Sequence, residues 1–224
     1  MRPLVVLLLL AGPAMAQGVT QGVVERGKAI AQNGTDGQGN QPGAAPCSSC
    51  HGMDGLSNGN TQYPRLDGQS GRYLAGQLDD YAGGLRQNEI MTPIAQSLSK
   101  ADREAVAAYF GSLPVGTPPP PSDPPTAVDP KQVERGRGIV DIGLAPREVQ
   151  ACVSCHGPDA AGEPPTFPRL AGQWAPYAVA QFHAFRDGTR HNDIAGVMRG
   201  IAHRLDDADV AAVAAYLAGL HPVE

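Results

Sequence analysis

The sequence contains very little cysteine. Among its 224 residues there are four, Cys47, Cys50, Cys152 and Cys155, which form two closely spaced pairs. No cysteine is left over outside these pairs. The sequence therefore excludes a separate disulfide framework.

Long apolar runs and basic clusters are also scarce. The apolar run at residues 4–11 is too short to span a bilayer, and no later stretch is long and apolar enough to do so. Basic residues neither cluster nor alternate with aromatic ones, which disfavours nucleic-acid binding. We expect a soluble protein with at most peripheral contact with a membrane.

The first 16 residues predict a cleavable secretory signal peptide. A basic start at Arg2 precedes the short apolar run, and small residues at Ala14 and Ala16 suit cleavage after Ala16. The expected location is therefore the periplasm. Cleavage leaves a formal charge of −6, and residues 17–113 and 131–224 each carry −2. Neither half is charged strongly enough to indicate a binding partner.

Each cysteine pair is followed directly by a histidine. The two stretches read Cys47-Ser48-Ser49-Cys50-His51 and Cys152-Val153-Ser154-Cys155-His156. Two thiols one helical turn apart suit the vinyl groups of a haem, which become thioethers, and the histidine suits its iron. We therefore predict two covalently bound haem c groups, attached at the four cysteines and ligated by His51 and His156.

A CxxC pair has three other interpretations. A redox dithiol needs a single pair in a βαβ setting, and a zinc site built from two pairs has no need of a histidine behind each one. A structural disulfide is the third. The doubled motif in an exported chain favours haem over all three.

The two halves of the chain repeat one unit. Glu25-Arg26-Gly27 recurs as Glu134-Arg135-Gly136, and residues 63–69 recur at 167–173 with an offset of 104. In each half the apolar spacing predicts a helix, the haem motif, a loop, a middle helix, a methionine loop and a last helix. Tyr73 and Tyr177 are predicted to be core residues of the middle helices.

Residues 114–130 separate the halves and contain eight prolines. Such a segment is expected to be extended and stiff, spacing two compact units. The predicted fold class is therefore all-α, with two tandem haem domains. The predicted division is signal peptide 1–16, first domain 17–113, linker 114–130 and second domain 131–224.

The sixth iron position decides between electron transfer and chemistry on a small ligand. His51 is the only histidine of the first half, so the local candidates there are Met53 and Met91. Met53 is tied to the proximal side by its closeness to His51, whereas Met91 lies beyond a helix. Met91 is therefore the predicted ligand.

In the second half Met198 competes with three histidines, His183, His191 and His203. The repeat favours Met198, which pairs with Met91 at an offset of 107 after three added residues. The three histidines pair with Asp79, Gln87 and Gln96, which are not ligands in the first half.

Contacts around the haem are predicted from the residues that follow each motif. The second nitrogen of each histidine ring needs an acceptor, and a backbone carbonyl near Pro64 or Pro168 is the candidate. Arg65 and Arg169 are candidates for pairing with haem propionates, with ordinary surface charges as the alternative.

These motifs, with the duplicated Pro-Arg-Leu-x-Gly-Gln and Arg-x-Asn segments, make the chain resemble the dihaem cytochromes c4 over residues 20 to 220. The resemblance implies two class I cytochrome c domains related by a pseudo-twofold axis, with propionates close together. It also implies periplasmic electron transfer between a quinol-oxidising complex and a terminal oxidase or similar acceptor.

The preferred function is thus a soluble electron carrier of the respiratory chain rather than an enzyme. The alternative is the dihaem cytochrome subunit of a periplasmic dehydrogenase complex. A dihaem peroxidase ranks third, because that chemistry needs an open iron.

The paired motifs generate a mass prediction. The intact mass after acidic acetone extraction should exceed that of the processed polypeptide by two haems, because thioether bonds survive extraction. Cys50→Ala and Cys155→Ala should each leave one site defective. Loss of haem during extraction would contradict covalent attachment.

Overall fold

The computed structural model describes residues 13–34, 45–122 and 128–220. The first unit is built from helices α1 (Pro13–Asn33), α2 (Ser48–His51), α3 (Gly71–Gly83), α4 (Met91–Ser97) and α5 (Lys100–Gly111). Residues 1–12 of the predicted signal peptide lie outside the described residues. Met91 begins α4, so the predicted methionine loop is wrong at this residue.

The second unit follows the same order. Its helices are α6 (Pro130–Asp141), α7 (Val153–His156), α8 (Ala175–Asp187), α9 (Val197–Arg204) and α10 (Asp207–Gly219). Between α6 and α7 lies a small antiparallel hairpin that was not predicted, β1 (Gly143–Leu144) and β2 (Val149–Gln150). Met198 lies in the first turn of α9, where a loop was predicted.

Side-chain caps define where three of the helices begin. Asp129 accepts a hydrogen bond from the N–H of Lys131, and Pro130 is the first residue of α6. The side chains of Ser99 and Asp206 cap α5 and α10, which end at Gly111 and Gly219.

The first and last helices of each unit cross with their backbones in contact. A Cβ built on Gly27 would lie 1.9 Å from the carbonyl oxygen of Ala105, and one built on Gly136 would lie 2.0 Å from that of Ala212. Neither distance leaves room for a side chain. The crossing therefore requires glycine at both positions.

An arginine beside each of these glycines forms an ion pair between the same two helices. Arg26 donates from Nε and Nη2 to Oδ1 of Asp102, at 3.0 and 2.6 Å. Arg135 makes the equivalent pair with Asp209, whose side chain is fully buried. The repeated Glu-Arg-Gly segment is thus explained by an ion pair and a close approach.

Each unit has its own apolar core. The first contains Ile30, Val106 and Phe110, and the second contains Val140 and Val213. The all-α tandem fold is confirmed, with the hairpin as a small addition. Within the described ranges no helix is long and apolar enough to cross a membrane.

The described part of the proline-rich segment does not separate the two units. Gly116 donates its N–H to Asp67 at 2.8 Å and accepts from Arg65 at 2.8 Å. The N–H of Ser122 donates to the carbonyl of Gly59 at 2.8 Å. Residues 116–122 are therefore fastened to the first unit, and the two units touch directly.

The helix crossing gives a stability prediction with a built-in control. Gly136→Ala should lower the free energy of unfolding by about 2 kcal/mol, because the new methyl group forces α6 and α10 apart. Gly138→Ala, on the same helix with nothing within 4 Å of its Cβ position, should raise it by about 0.5–1 kcal/mol. Urea denaturation followed by circular dichroism measures both. Equal effects of the two substitutions would contradict the backbone contact.

Candidate functional site

Each cysteine pair lies on a single turn of helix. The N–H of His51 donates to the carbonyl of Cys47 at 2.9 Å, and that of His156 donates to the carbonyl of Cys152 at 2.9 Å. Two glycines with positive φ, Gly52 (71°) and Gly157 (75°), end these turns. Both motifs therefore present two thiols and an imidazole from the same local structure.

Both histidine rings are buried and oriented by a backbone carbonyl. Nδ1 of His51 lies 3.1 Å from the oxygen of Pro64, and Nδ1 of His156 lies 2.9 Å from that of Pro168. The predicted acceptors are thus confirmed. A carbonyl can only accept, so Nδ1 carries the hydrogen and Nε2 keeps a lone pair, which is the form that ligates a metal.

Burial also keeps these rings neutral. It lowers the pKa of His51, an effect that the bond to Pro64 partly offsets. Burial lowers the pKa of His156 in the same way, and the charge of Arg190 adds to the lowering. Neutral imidazole is the ligand that iron requires.

The cysteines do not have the character of a redox pair. Burial raises the pKa of Cys47 and of Cys152 to about 11, so both are protonated thiols at neutral pH. A reactive dithiol needs a lowered pKa. In the described part of the chain, no three cysteine, histidine or carboxylate side chains converge on a possible metal position. The residues present therefore fit a covalently attached macrocycle better than a reactive dithiol.

The two predicted distal methionines occupy equivalent places. Met91 and Met198 are both partly buried at the start of a short helix that precedes the last helix of the unit. Met198 packs against the core of the second unit. Of its rivals, His183 and His203 are exposed, and His183 lies 3.6 Å from Asp207. The ring of His191 is 3.0 Å from the carbonyl of Gly188.

The two predicted propionate arginines differ from each other. Arg65 is 7 % exposed and binds both carboxylate oxygens of Asp67, at 3.0 and 2.6 Å, together with the carbonyls of Gly172 and Gly116. It is not an ordinary surface charge. Its charge is already balanced by the neighbouring carboxylate.

Arg169 has no such partner, because alanine stands at position 171 where the first unit has Asp67. Within the described residues its guanidinium donates no hydrogen bond. Burial and the nearby charge of Arg65 lower its pKa, against a smaller opposing effect of Asp67. Its partly buried, unbalanced charge is suited to an anionic group of a cofactor.

The two units meet through reciprocal contacts. Gln69 accepts from the N–H of Arg169 at 3.0 Å and donates to its carbonyl at 3.1 Å. Gln173 forms the same two bonds with Arg65, at 3.0 and 3.1 Å. The glutamine of the repeated Pro-Arg-Leu-x-Gly-Gln segment thus pairs the units about a pseudo-twofold axis.

A second set of reciprocal contacts joins the units at the Arg-x-Asn segments. Nη2 of Arg86 donates to the hydroxyl of Tyr177 at 2.7 Å, and Nη2 of Arg190 donates to that of Tyr73 at 2.9 Å. The backbones also pair, since Gln87 donates to Thr189 and His191 donates to Leu85. Tyr73 and Tyr177, predicted as core residues, are therefore interface residues.

These interface arginines were not assigned a role from the sequence. A signal was available, because the Arg-x-Asn segments and the glutamines of the middle helices, Gln77 and Gln181, recur in both halves. A repeated polar residue is not explained by core packing and indicates a shared contact.

The contact between Trp174 and Ser57 is not repeated in the opposite direction across the interface. The indole N–H of Trp174 donates to the hydroxyl of Ser57 at 2.5 Å, and both side chains are buried. The position equivalent to Trp174 in the first unit is Ser70, which caps α3 instead.

Comparison with known proteins finds relatives that match most of the chain. The cytochrome c family model matches residues 24–114 and 146–221. A thiosulfate dehydrogenase electron acceptor from Thiomonas intermedia (strain K12) is 42 % identical over 178 residues, covering 79 % of each chain. Cytochrome c4 from Pseudomonas aeruginosa is 37 % identical over 196 residues, covering 86 % of this chain and 92 % of the relative.

A solved structure is similar as well. The thiosulfate dehydrogenase from Marichromatium purpuratum, in its as-isolated form, superposes with a TM-score of 0.77 at 36 % identity. The match covers 88 % of this chain but only 40 % of that one.

Proposed function

The chain belongs to the cytochrome c family as a dihaem protein of the cytochrome c4 type, and on that premise we propose that it accepts electrons from a periplasmic thiosulfate dehydrogenase. It carries two covalently bound haem c groups and is an electron carrier rather than an enzyme. When bound, haem supplies a reversible Fe(II)/Fe(III) couple.

The residues of each motif hold one haem. Cys47 and Cys50 form the thioethers of the first site, and Cys152 and Cys155 those of the second. His51 and His156 offer Nε2 to the iron, because their Nδ1 hydrogens are donated to proline carbonyls. These bonds fix the ring orientation and limit rearrangement between the two oxidation states.

Met91 and Met198 complete the two sites as sixth ligands. Their matching positions, each at the start of the helix before the last one, support the same role in both units. A thioether ligand favours Fe(II) and leaves no open position for a substrate. Closed, six-coordinate sites suit an electron carrier.

The observation that favours thiosulfate dehydrogenase as the donor is the likeness to its electron acceptor from Thiomonas intermedia at 42 % identity. The likeness to a solved thiosulfate dehydrogenase over 88 % of this chain adds to it. The second candidate is transfer from a quinol-oxidising complex to a terminal oxidase, which the likeness to cytochrome c4 favours. Arg65 and Arg169 remain proposed propionate partners, with Arg169 the better placed by its unbalanced charge.

The signal peptide at residues 1–16 supports export to the periplasm, where both candidate donors would meet the protein. Cleavage after Ala16 leaves residues 17–113 and 131–224 as the two haem domains, joined by residues 114–130. The reciprocal contacts between the units favour one fixed pairing of these domains.

The ligand assignment predicts the result of removing each thioether. Met91→Ala and Met198→Ala should each open one iron, so that half of the haem binds carbon monoxide or cyanide readily. One near-infrared thioether-to-iron charge-transfer band should be lost and the other kept. Replacement of either methionine by histidine should leave that haem low-spin and lower its reduction potential.

Met53→Ala is the matched control, because Met53 packs against the first core without a ligand role in this proposal. It should keep both bands and resist external ligands. If Met198→Ala kept its band and ligand resistance, His191 or His203 would be the ligand to test.

The donor is tested with the oxidised full-length protein in a stopped-flow instrument. Purified thiosulfate dehydrogenase with thiosulfate should reduce both haems at a much higher rate than a quinol-oxidising complex with quinol does. Thiosulfate without enzyme is the control. Faster reduction by the quinol-oxidising complex would contradict thiosulfate dehydrogenase as the donor and favour the quinol-oxidising complex.

A further inference from the structure

We propose that Arg103 and Arg186 have the same role in the two units. Each arginine holds the C-terminal end of the methionine helix, α4 or α9, and thereby keeps Met91 or Met198 in place as the sixth ligand. The proposal rests on the ligand role proposed above for the two methionines, but on no particular electron donor.

In the first unit one arginine binds the end of α4. Nη1 of Arg103 donates to the carbonyl of Ala95 at 3.3 Å and to that of Leu98, the C-cap, at 2.6 Å. Ala95 and Leu98 are both buried. The last carbonyls of a helix have no partner within the helix, so a buried helix end needs donors from elsewhere. Arg103 supplies these donors from α5.

In the second unit an arginine binds the same two carbonyls. Arg186 donates from Nε to Ala202 at 3.1 Å and from Nη2 to Leu205 at 2.9 Å. Both of these residues are buried, and they are equivalent to Ala95 and Leu98 at the offset of 107. The arginine, however, comes from the middle helix α8 and not from the last helix.

The two arginines are not equivalent in the repeat. The first unit has Ala82 at the position that corresponds to Arg186, and the second unit has Val210 at the position that corresponds to Arg103. The two units therefore reach the same carbonyls from different places in the sequence. Duplication of the unit does not by itself account for the contact, which points to a requirement for a guanidinium at this helix end.

The acidic partners of the arginines are exchanged as well. Nε of Arg103, on α5, donates to Asp79 of α3 at 2.7 Å, whereas Nη1 of Arg186, on α8, donates to Asp207 of α10 at 2.6 Å. The side chain of Asp207 is 77 % exposed, and an ion pair with such a partner contributes little to stability. The bonds to the carbonyls are therefore what the two units share.

The contact reaches the ligand through a short helix. Met91 is the first residue of α4, which has seven residues, and Met198 is the second residue of α9, which has eight. Each helix is about two turns long and packs against the middle helix of its unit. Fixing its C-terminal end therefore restricts the place of the methionine at its start. Arg103 and Arg186 are positioning residues, because they act through this helix.

The second unit has a further support that makes the two sites unequal. Nη1 of Arg147 lies 3.4 Å from the carbonyl of Arg204, the last residue of α9. Within the described residues, no second arginine binds the end of α4. We therefore expect loss of Arg103 to have the larger effect.

The test uses the full-length dihaem protein and gives each loss variant the residue that the other unit carries. In Arg103→Val, the amides of α4 should exchange with deuterium about tenfold faster, because two charge-assisted bonds are lost. Cyanide should also bind the first haem about tenfold faster. Arg186→Ala should produce a smaller increase of both rates at α9 and at the second haem.

A transplanted arginine tests the carbonyl contact itself. Ala82→Arg added to Arg103→Val copies the second-unit arrangement and should restore slow exchange and cyanide resistance, although it does not restore the side chain that was removed. Arg137→Ala is the control, because this exposed arginine pairs with Glu134 on α6. It should change neither rate. Haem content and circular dichroism establish that each variant is folded.

Two results would overturn the proposal. Unchanged exchange of α4 in folded Arg103→Val would show that the arginine does not hold the helix. Faster exchange with unchanged cyanide binding would show that the helix end has no effect on the ligand. Met91→Ala separates these results from a wrong ligand assignment. If that variant itself resisted cyanide, the assignment would fail, and the exchange rates alone would still decide whether Arg103 holds α4.

Discussion

The backbone contact between the first and last helix of each unit is the constraint on which the other features depend. Because no side chain fits between Gly27 and Ala105, or between Gly136 and Ala212, the helices can cross only at that register. The haem motif follows the first helix and the methionine helix precedes the last one. Fixing the crossing therefore fixes both ends of the site, and a small unit can hold its ligands without a large core.

Charge is distributed in the interface in an unequal way. Arg65 is neutralised by Asp67, whereas Arg86, Arg190 and Arg169 are not bonded to any carboxylate among the described residues. In a protein interior such charges act over longer distances than at the surface. An excess of positive charge between the units is suited to anionic cofactor groups that the polypeptide does not itself provide.

Much of the fold and site was predictable from the sequence because the signals were local. The CxxCH spacing, the capping residues Ser99 and Asp206 and the carbonyls of Pro64 and Pro168 all depend on a few neighbouring residues. Because the two halves repeat, a residue assigned in one half predicts the role of the equivalent residue in the other. The family comparison confirmed the dihaem type, while the axial methionines stay predictions.

What the sequence did not give was the environment of residues at helical spacing. Apolar periodicity places Tyr73 and Tyr177 on an inward face, but it does not distinguish the core of one unit from the surface of its neighbour. The hairpin at residues 143–150 was not predicted for another reason. Its strands have two residues each, too few for an alternating pattern.

The contact between Trp174 and Ser57 bears on the choice of partner for each half. Reciprocal bonds such as those of Gln69 and Gln173 are what a twofold homodimer of one unit would make, so they alone would let each half pair with a copy of itself. Trp174 pairs with Ser57, while its counterpart Ser70 is committed to a helix cap. The tryptophan therefore biases assembly toward pairing of the two different halves, and against pairing of either half with a copy of itself.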